Sequence, residues 1–265
     1  MTFTPHNPNH AVQSTVFELF FLPVSADRAV ARSDFAPSSK ALATLPGTRP
    51  VQTMNLTIED GKPTAPSIQQ GVELFLAEPD GTSAWSLQVS AGSITIACRV
   101  YTRWKHVWEK ASSYMQEALS ALRSVAQADL EIDRIEMRVI DRFVADSRSY
   151  DVRSLLVPSP YLAELVFDTG PAWHSHVGWF GKSPFNTLHN LNVDAKPVIE
   201  KKEDGKWEID ILHFQRVKPL DGDELKNRPD ILQAIFTAFH AQNKQVISSI
   251  ISPSMRGTIG LNEAT

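Results

Sequence analysis

Two histidines set two residues apart open the chemical reading of this chain. On a strand His174 and His176 share one face, and His189 or His213 from a neighbouring strand would complete three imidazoles around a transition metal. That strand holds no Glu or Asp to serve as a base. Trp173 and Trp179 fall on its opposite face, so packing and hydrogen bonding compete with ligation as the role of the pair. Nucleophiles are poorer still. Ser83, Ser86 and Ser90 lie in or beside a hairpin, and Cys98 alternates with Ile94, Ile96 and Val100 as a small buried hydrophobe. Glu208 and Asp210 pair on the outer face of a late hairpin, where carboxylates keep an exposed strand soluble. No nucleophile elbow, phosphate loop, zinc framework or dinucleotide fingerprint occurs in the sequence.

Charge offers more than catalysis does. In Arg134 to Phe143 the side chains alternate, with Ile135, Met137, Val139 and Phe143 on one face and Arg134, Glu136, Arg138 and Arg142 on the other. Arg99, Tyr101 and Arg103 alternate on the polar face of a preceding hairpin. Were those two strands neighbours, these three would join Arg134, Arg138 and Arg142 in a basic, tyrosine-containing wall able to hold a phosphate backbone, a nucleotide or an acidic protein. The structural alternative pairs them with Glu136 and with helix carboxylates such as Glu109 and Glu117.

The elements that must position these groups are legible in part. Residues 1–14 read as a frayed polar tail and Val16 to Leu22 as a strand stopped by Pro23. Prolines between 24 and 79 forbid a long helix and leave strands at Met54 to Ile58 and Val72 to Leu76, in the least legible stretch of the chain. Trp85 to Ser90 and Ile94 to Trp104 form a hairpin across Ala91-Gly92. An amphipathic helix follows over 105–126, with Trp108, Ala111, Met115, Ala118, Leu122 and Val125 in one stripe, and then comes the charged strand from Ile132 to Val144. Further strands are expected at Tyr161 to Phe167, Trp173 to Phe180 and Thr187 to Val193. Pro197 to Glu203 should join Lys206 to Val217 across Asp204-Gly205. A last helix starts near Asp230 and ends at Ser252-Pro253, its apolar stripe interrupted by His240 and Asn243. Those two polar groups either bond to backbone or mark a polar seam in an interface.

Composition sets outer bounds on all of this. The 265 residues carry 26 basic and 30 acidic side chains, too even a balance for tight, sequence-independent binding of nucleic acid. One cysteine forbids an internal disulfide, which suits a reducing compartment. No secretory leader is recognisable at the N-terminus, and no run approaches the apolar length of a membrane span.

The run "WSLQVSAGSITIACRVYTRW", the helix after it, the strand "DRIEMRVIDRF" and the final helix "FHAQNKQVISSIISPSMR" resemble the pattern of a sporadically distributed family of uncharacterised prokaryotic proteins. In that pattern a tryptophan-led hairpin ends in Tyr-x-x-Trp, an arginine-rich strand follows, and a C-terminal helix reads His-x-x-x-Asn-x-x-Phe before Ser-x-Ile-Thr. The counterparts here are Trp85, Tyr101 and Trp104; Arg134, Arg138 and Arg142; and His240, Asn243, Ser248, Ser249 and Ile250. Val246 or Ile247 replaces the aromatic, and Ser252 stands where threonine is expected. The family's patchy occurrence resembles that of toxin-neutralising or phage-defence accessory proteins.

The resulting expectation is an α+β protein of antiparallel sheets, each half covered by a long amphipathic helix, the halves running from 15 to 150 and from 151 to 265. The leading function is a non-catalytic cytoplasmic binding protein that recognises a protein partner, as an immunity, antitoxin or phage-defence component. Arg99, Tyr101, Arg103, Arg134, Arg138, Arg142, His240 and Asn243 are its candidate binding residues, with no cofactor, no membrane, and a homo-oligomer possible. The alternatives are a metal enzyme using His174, His176, His189 and His213 on a small or nucleotide substrate, and a nucleic-acid binder using the arginine face.

Overall fold

A computed structural model describes residues 3–22, 28–55, 58–59, 62–63, 67–127, 129–145, 147, 149–182, 185–198, 205–218 and 229–261. The fold is α+β, a large antiparallel sheet with few helices. In chain order the strands are β1 (Phe3–Pro5), β2 (Val12–Phe21), β3 (Gly47–Asn55), β4 (Ile58–Glu59), β5 (Lys62–Pro63), β6 (Ser67–Ala77), β7 (Ser83–Ser90), β8 (Ser93–Cys98), β9 (Ile132–Ala145), β10 (Trp173–Gly181), β11 (Thr187–Pro197) and β12 (Trp207–Val217). The helices are α1 (Lys40–Thr44), α2 (Trp104–Ala126), α3 (Pro229–Ile250) and α4 (Pro253–Thr258). The chain divides into two compact units, each assembled from separated stretches: one of residues 1–15, 137–217 and 232–265, the other of 16–136 and 218–231.

In the second unit the strands run β9-β2-β8-β7-β6-β3. Leu87 and Val89 of β7 and Ile94, Ile96 and Cys98 of β8 are buried by strict alternation, and α2 lies on that face. Phe17 of β2 meets Trp108 with ring centroids 5.6 Å apart, and Trp85 meets Tyr114 edge-on at 5.8 Å. Gln127, in the left-handed region at φ 50°, ends α2 by donating its N–H to the Arg123 carbonyl. Short α1 has too few turns to stand alone and is held from outside. Glu117 accepts the Lys40 and Ala41 N–H groups at 3.1 and 2.9 Å and the Ser39 hydroxyl, placing negative charge at the helix N-terminus. Pro50 is tolerated in β3 because that strand pairs on one side only.

In the first unit the strands run β10-β11-β12-β9, with β1 pairing along β9. The inward rows of β9, β11 and β12 join Val246, Ile247, Ile250, Met255 and Ile259 of the helices and Leu155, Leu156, Val166 and Phe167 of the intervening segment in one apolar core. Ser252 ends the α3 run as expected from Ser252-Pro253. Its hydroxyl reaches the Ser154 carbonyl at 2.9 Å and accepts the Met255 N–H at the start of α4.

Three expectations need correction. The N-terminal residues are not a frayed tail: Phe3 and Ala11 are buried, and Phe3 to Pro5 pair with Ala145 to Phe143. The His6 N–H reaches the Arg142 carbonyl and the Arg142 N–H reaches the Ala11 carbonyl, while Asn7 and His10 close a tight turn between them. Backbone pairing thus offsets a polar composition. Tyr161 to Phe167 is not a strand but turns of 3-10 type ending at Phe167, because Leu162 and Val166 are spaced for one helical face. The hairpin's returning arm ends at Cys98, with Arg99 to Arg103 in the link to α2. Two expected segments fall partly outside the described residues, Met54 to Ile58 at 56–57 and the arm before Asp204-Gly205 at 199–204; β12 pairs with β11, Pro197 opposite Trp207.

Cys98 is wholly buried and burial pushes its thiol up to about 11. Native protein should therefore react with a thiol reagent only as fast as it unfolds, and fully in denaturant. Rapid labelling of the folded chain would show that the inward row of β8 is assigned backwards.

Candidate functional site

Parity divides the sequence-derived histidines between two faces. On β10 and β11 the even-numbered residues face outward and the odd-numbered inward. His174 hydrogen-bonds outward to Asp194, and His176 Nε2 lies 2.7 Å from the Asn190 side-chain oxygen. His189 and His213 project inward on β11 and β12. The four imidazoles cannot converge on one ion, and among the described residues no three His, Cys, Asp or Glu side chains gather as a metal site.

The inward pair forms a relay. His213 Nδ1 lies 2.9 Å from the Asn243 side-chain oxygen, an acceptor, so that nitrogen carries the proton and donates. His213 Nε2 must then accept, and at 3.1 Å its donor is His189 Nδ1–H. Trp179 lies flat against His189 at 4.8 Å and 1°, and Tyr161 covers Trp179 at 4.7 Å. Beside this relay Gln215 donates to the Gln242 oxygen at 3.1 Å. Burial pushes His189 down to about 4 and does the same to His213, against the smaller opposing pull of its Asn243 bond. His240, half-buried near Lys244, is also lowered to about 4, chiefly by burial. These imidazoles are neutral at pH 7. Asn243 thus belongs to a polar tie between α3 and β12. It stands three residues after His240, one closer than the His-x-x-x-Asn spacing of the family pattern.

Two of the candidate arginines are engaged in ion pairs. Arg134 bonds Glu136 and Asp133 at 2.9 and 2.8 Å and lies 3.7 Å above the Phe20 ring. Arg142 makes a two-pronged contact with Asp210 at 2.6 and 2.7 Å and approaches Glu208 at 3.3 Å. Arg138 is half-buried on the same outward row. In the second unit β2 separates β8 from β9, so the link carrying Arg99, Tyr101 and Arg103 does not continue a shared wall with Arg134. Glu109 and Glu117 do not supply its counter-charges: Glu117 binds the start of α1 and Glu109 faces His106.

The outward face of β10, β11 and β12 emerges only from the structure, and register defines it. Phe180, Leu188 and Arg216 form one row, then Gly178, Asn190 and Phe214, then His176, Asn192 and Leu212, then His174, Asp194 and Asp210. Every β11 and β12 member of these rows is partly exposed, and Phe180 is 77% exposed. The face grades from an apolar end, where Arg216 lies 5.1 Å from the Phe214 ring centre, through amides to a charged end. At that end Asp194, Glu208 and Asp210 outnumber Lys196 and Arg142. The parity of Leu188, Leu212 and Phe214 in the sequence carried this signal.

Asp141 is a second group that sequence reasoning missed. It occupies the inward row of β9 between Val139 and Phe143, is 4% exposed, and has no hydrogen-bond or ion-pair partner among the described residues. Burial alone pushes its carboxyl up to about 7.

No family model matches the chain, and no curated protein matches it in sequence.

The two sets of titrating groups act on stability with opposite sign. A histidine lowered from 6.5 to about 4 contributes stability that is full above pH 6.5 and lost as pH falls toward 4. His189→Phe keeps the stack but leaves His213 Nε2 without its donor. It should lower the unfolding free energy at pH 7 by about 1–3 kcal/mol and flatten the fall between pH 6.5 and 4, read from denaturant melts at each pH. Asp141, raised from 3.8 to about 7, does the reverse, with stability declining as pH rises through that window. Asp141→Asn should stabilise the chain at pH 8 by about 2 kcal/mol or more and little at pH 4. An equal effect at both would mean that the carboxyl titrates alike in the folded and the unfolded chain.

Proposed function

We propose that this chain is a non-catalytic binding protein that recognises a folded protein partner through the outward face of β10, β11 and β12. The observation that carries the reading is the register of that face, which brings Phe180, Leu188 and Phe214 together beside Arg216 at one end, with Asn190, Asn192 and Leu212 next and His174 toward the charged end. Aromatic and aliphatic side chains beside an arginine, continued by polar groups, supply the residue types enriched in protein interfaces. A rigid strand scaffold holds these side chains with little entropy left to lose on binding. The carboxylate excess at the Asp194 end selects a partner with a cationic group there and an apolar knob over Phe214.

Catalysis has less support. The inward imidazoles are bonded to one another and to Asn243, and the outward ones to Asp194 and Asn190, so among the described residues none of these four is hydrogen-bonded to a hydroxyl or thiol nucleophile. Phosphate recognition fares no better, since Arg134 and Arg142 already hold carboxylates. An immunity, antitoxin or phage-defence role in the cytoplasm is the setting of this proposal. Its support is the resemblance of the hairpin, arginine strand and last helix to the sporadic prokaryotic family, together with a single unpaired thiol. No described helix is long and apolar enough to cross a membrane.

The test uses the purified chain as bait in native-host extract, followed by calorimetry with the purified partner it retains. Phe214→Ala and Asn192→Arg should each weaken binding by about 2 kcal/mol without moving the thermal midpoint by more than a few degrees. Arg99→Ala, outside the face, should change neither. A partner held equally tightly by all three variants would refute the assignment of the face.

A further inference from the structure

Strand β10 ends the sheet order of its unit, and among the described residues no main-chain hydrogen bond reaches it from the side away from β11. Its nine residues pair with β11 without a bulge and include no proline and no Lys, Arg, Asp or Glu. Proteins ordinarily blunt such an edge with a charge, a proline or a bulge. The segment before β10 does not cover it, because Ala163 bonds Ser175 Oγ and Tyr161 meets Trp179, both contacts lying on the inward face rather than along the edge.

We propose that the occupant of this edge is a second copy of the chain, its β10 running antiparallel to the first across a two-fold axis at Val177. Side-chain sizes support that register. On the inward row Trp173 would face Gly181 of the second copy, Trp179 would face Ser175, and Val177 would face its own counterpart. On the outward row His176 would face Gly178, and exposed Phe180 would lie against His174. Each tryptophan therefore meets a small residue, and all nine positions pair. Moving the axis one residue, to His176, keeps the faces matched but sets Trp173 against Trp179 and leaves Gly181 unpaired. With no charged residue on the strand, the two-fold opposes no like charges. The contact is isologous and closes at two copies, covering Phe180 and joining two outward faces into one sheet. This inference concerns the chain's own association and stands independently of the heterologous partner.

Sedimentation velocity of the full chain from about 1 to 100 μM reads the outcome. The wild type should be a dimer. The variant H174K/F180K, altered only at outward positions, sets an introduced lysine of one copy opposite an introduced lysine of the other at both ends of the contact. It should weaken dimerisation about tenfold or more. The variant H174K/F180E sets lysine against glutamate across the same two ends and should recover the dimer. Circular dichroism of all three should coincide. A monomeric wild type overturns the proposal, and so does a dimer indifferent to the two lysines. Failure of the lysine-glutamate variant to recover would overturn the Val177 register.

Discussion

The first unit depends on satisfying an imidazole in the wrong half of an amphipathic pattern. His213 occupies a position on β12 whose neighbours, Ile209 and Ile211, are wholly buried, so its two nitrogens had to find partners or be left at a cost of about 1–3 kcal/mol each. Asn243 supplies one and His189 the other. Apolar contacts alone would let α3 slide along the sheet with small penalty, whereas a side-chain oxygen placed 2.9 Å from a ring nitrogen fixes rotation and register together. The Gln215 to Gln242 bond ties the adjacent residue on the same turn of that helix. Trp179 then closes over the relay as a flat lid, and that is why the strand beyond β11 carries tryptophan rather than an aliphatic at this row.

Much of this fold is legible in the sequence where a period is long and one-sided. Along its whole length α2 repeats its stripe, and β10, β12 and β9 from Met137 onward alternate, so their existence and inward faces follow from pattern alone. What could not be read has a common cause: it depends on which strand lies beside which. The arginine wall needed β8 next to β9, and β2, contributed from near the start of the chain, lies between them. Short α1 carries no stripe of its own and owes its N-terminus to Glu117, far away in sequence. Rows such as Phe180, Leu188 and Arg216 exist only once two registers are known.

The same dependence explains why the site residues of the sequence reading changed character. Histidines two apart suggest a ligand set, and the two do share a face, but the additional imidazoles arrive from strands whose parity points the other way. Arginine alternation is real too. Its meaning lies in Asp210 and Glu208 of β12, which meet Arg142 from a strand far later in the chain. Arg142 and Asp210, held in a two-pronged geometry, would have to be separated before a new anion could take the guanidinium.

The proposed function therefore rests on a surface that the first unit leaves open to solvent. Apart from Asp141, the inward groups of the first unit form the relay and the apolar core, and Arg142 on the outward row of β9 holds Asp210. Beside these lies the face of β10 to β12, where Phe180 stays exposed although its strand could have ended in a polar residue without structural penalty, since no buried neighbour depends on it. Exposed aromatics lower solubility, and a strand edge without charge invites pairing. Both features occur together on β10, so a single covering event removes both liabilities. Sheet geometry makes that event directional: edge pairing fixes the position of a second strand to within one residue, and the outward rows of two copies would then present a doubled face to whatever the protein recognises.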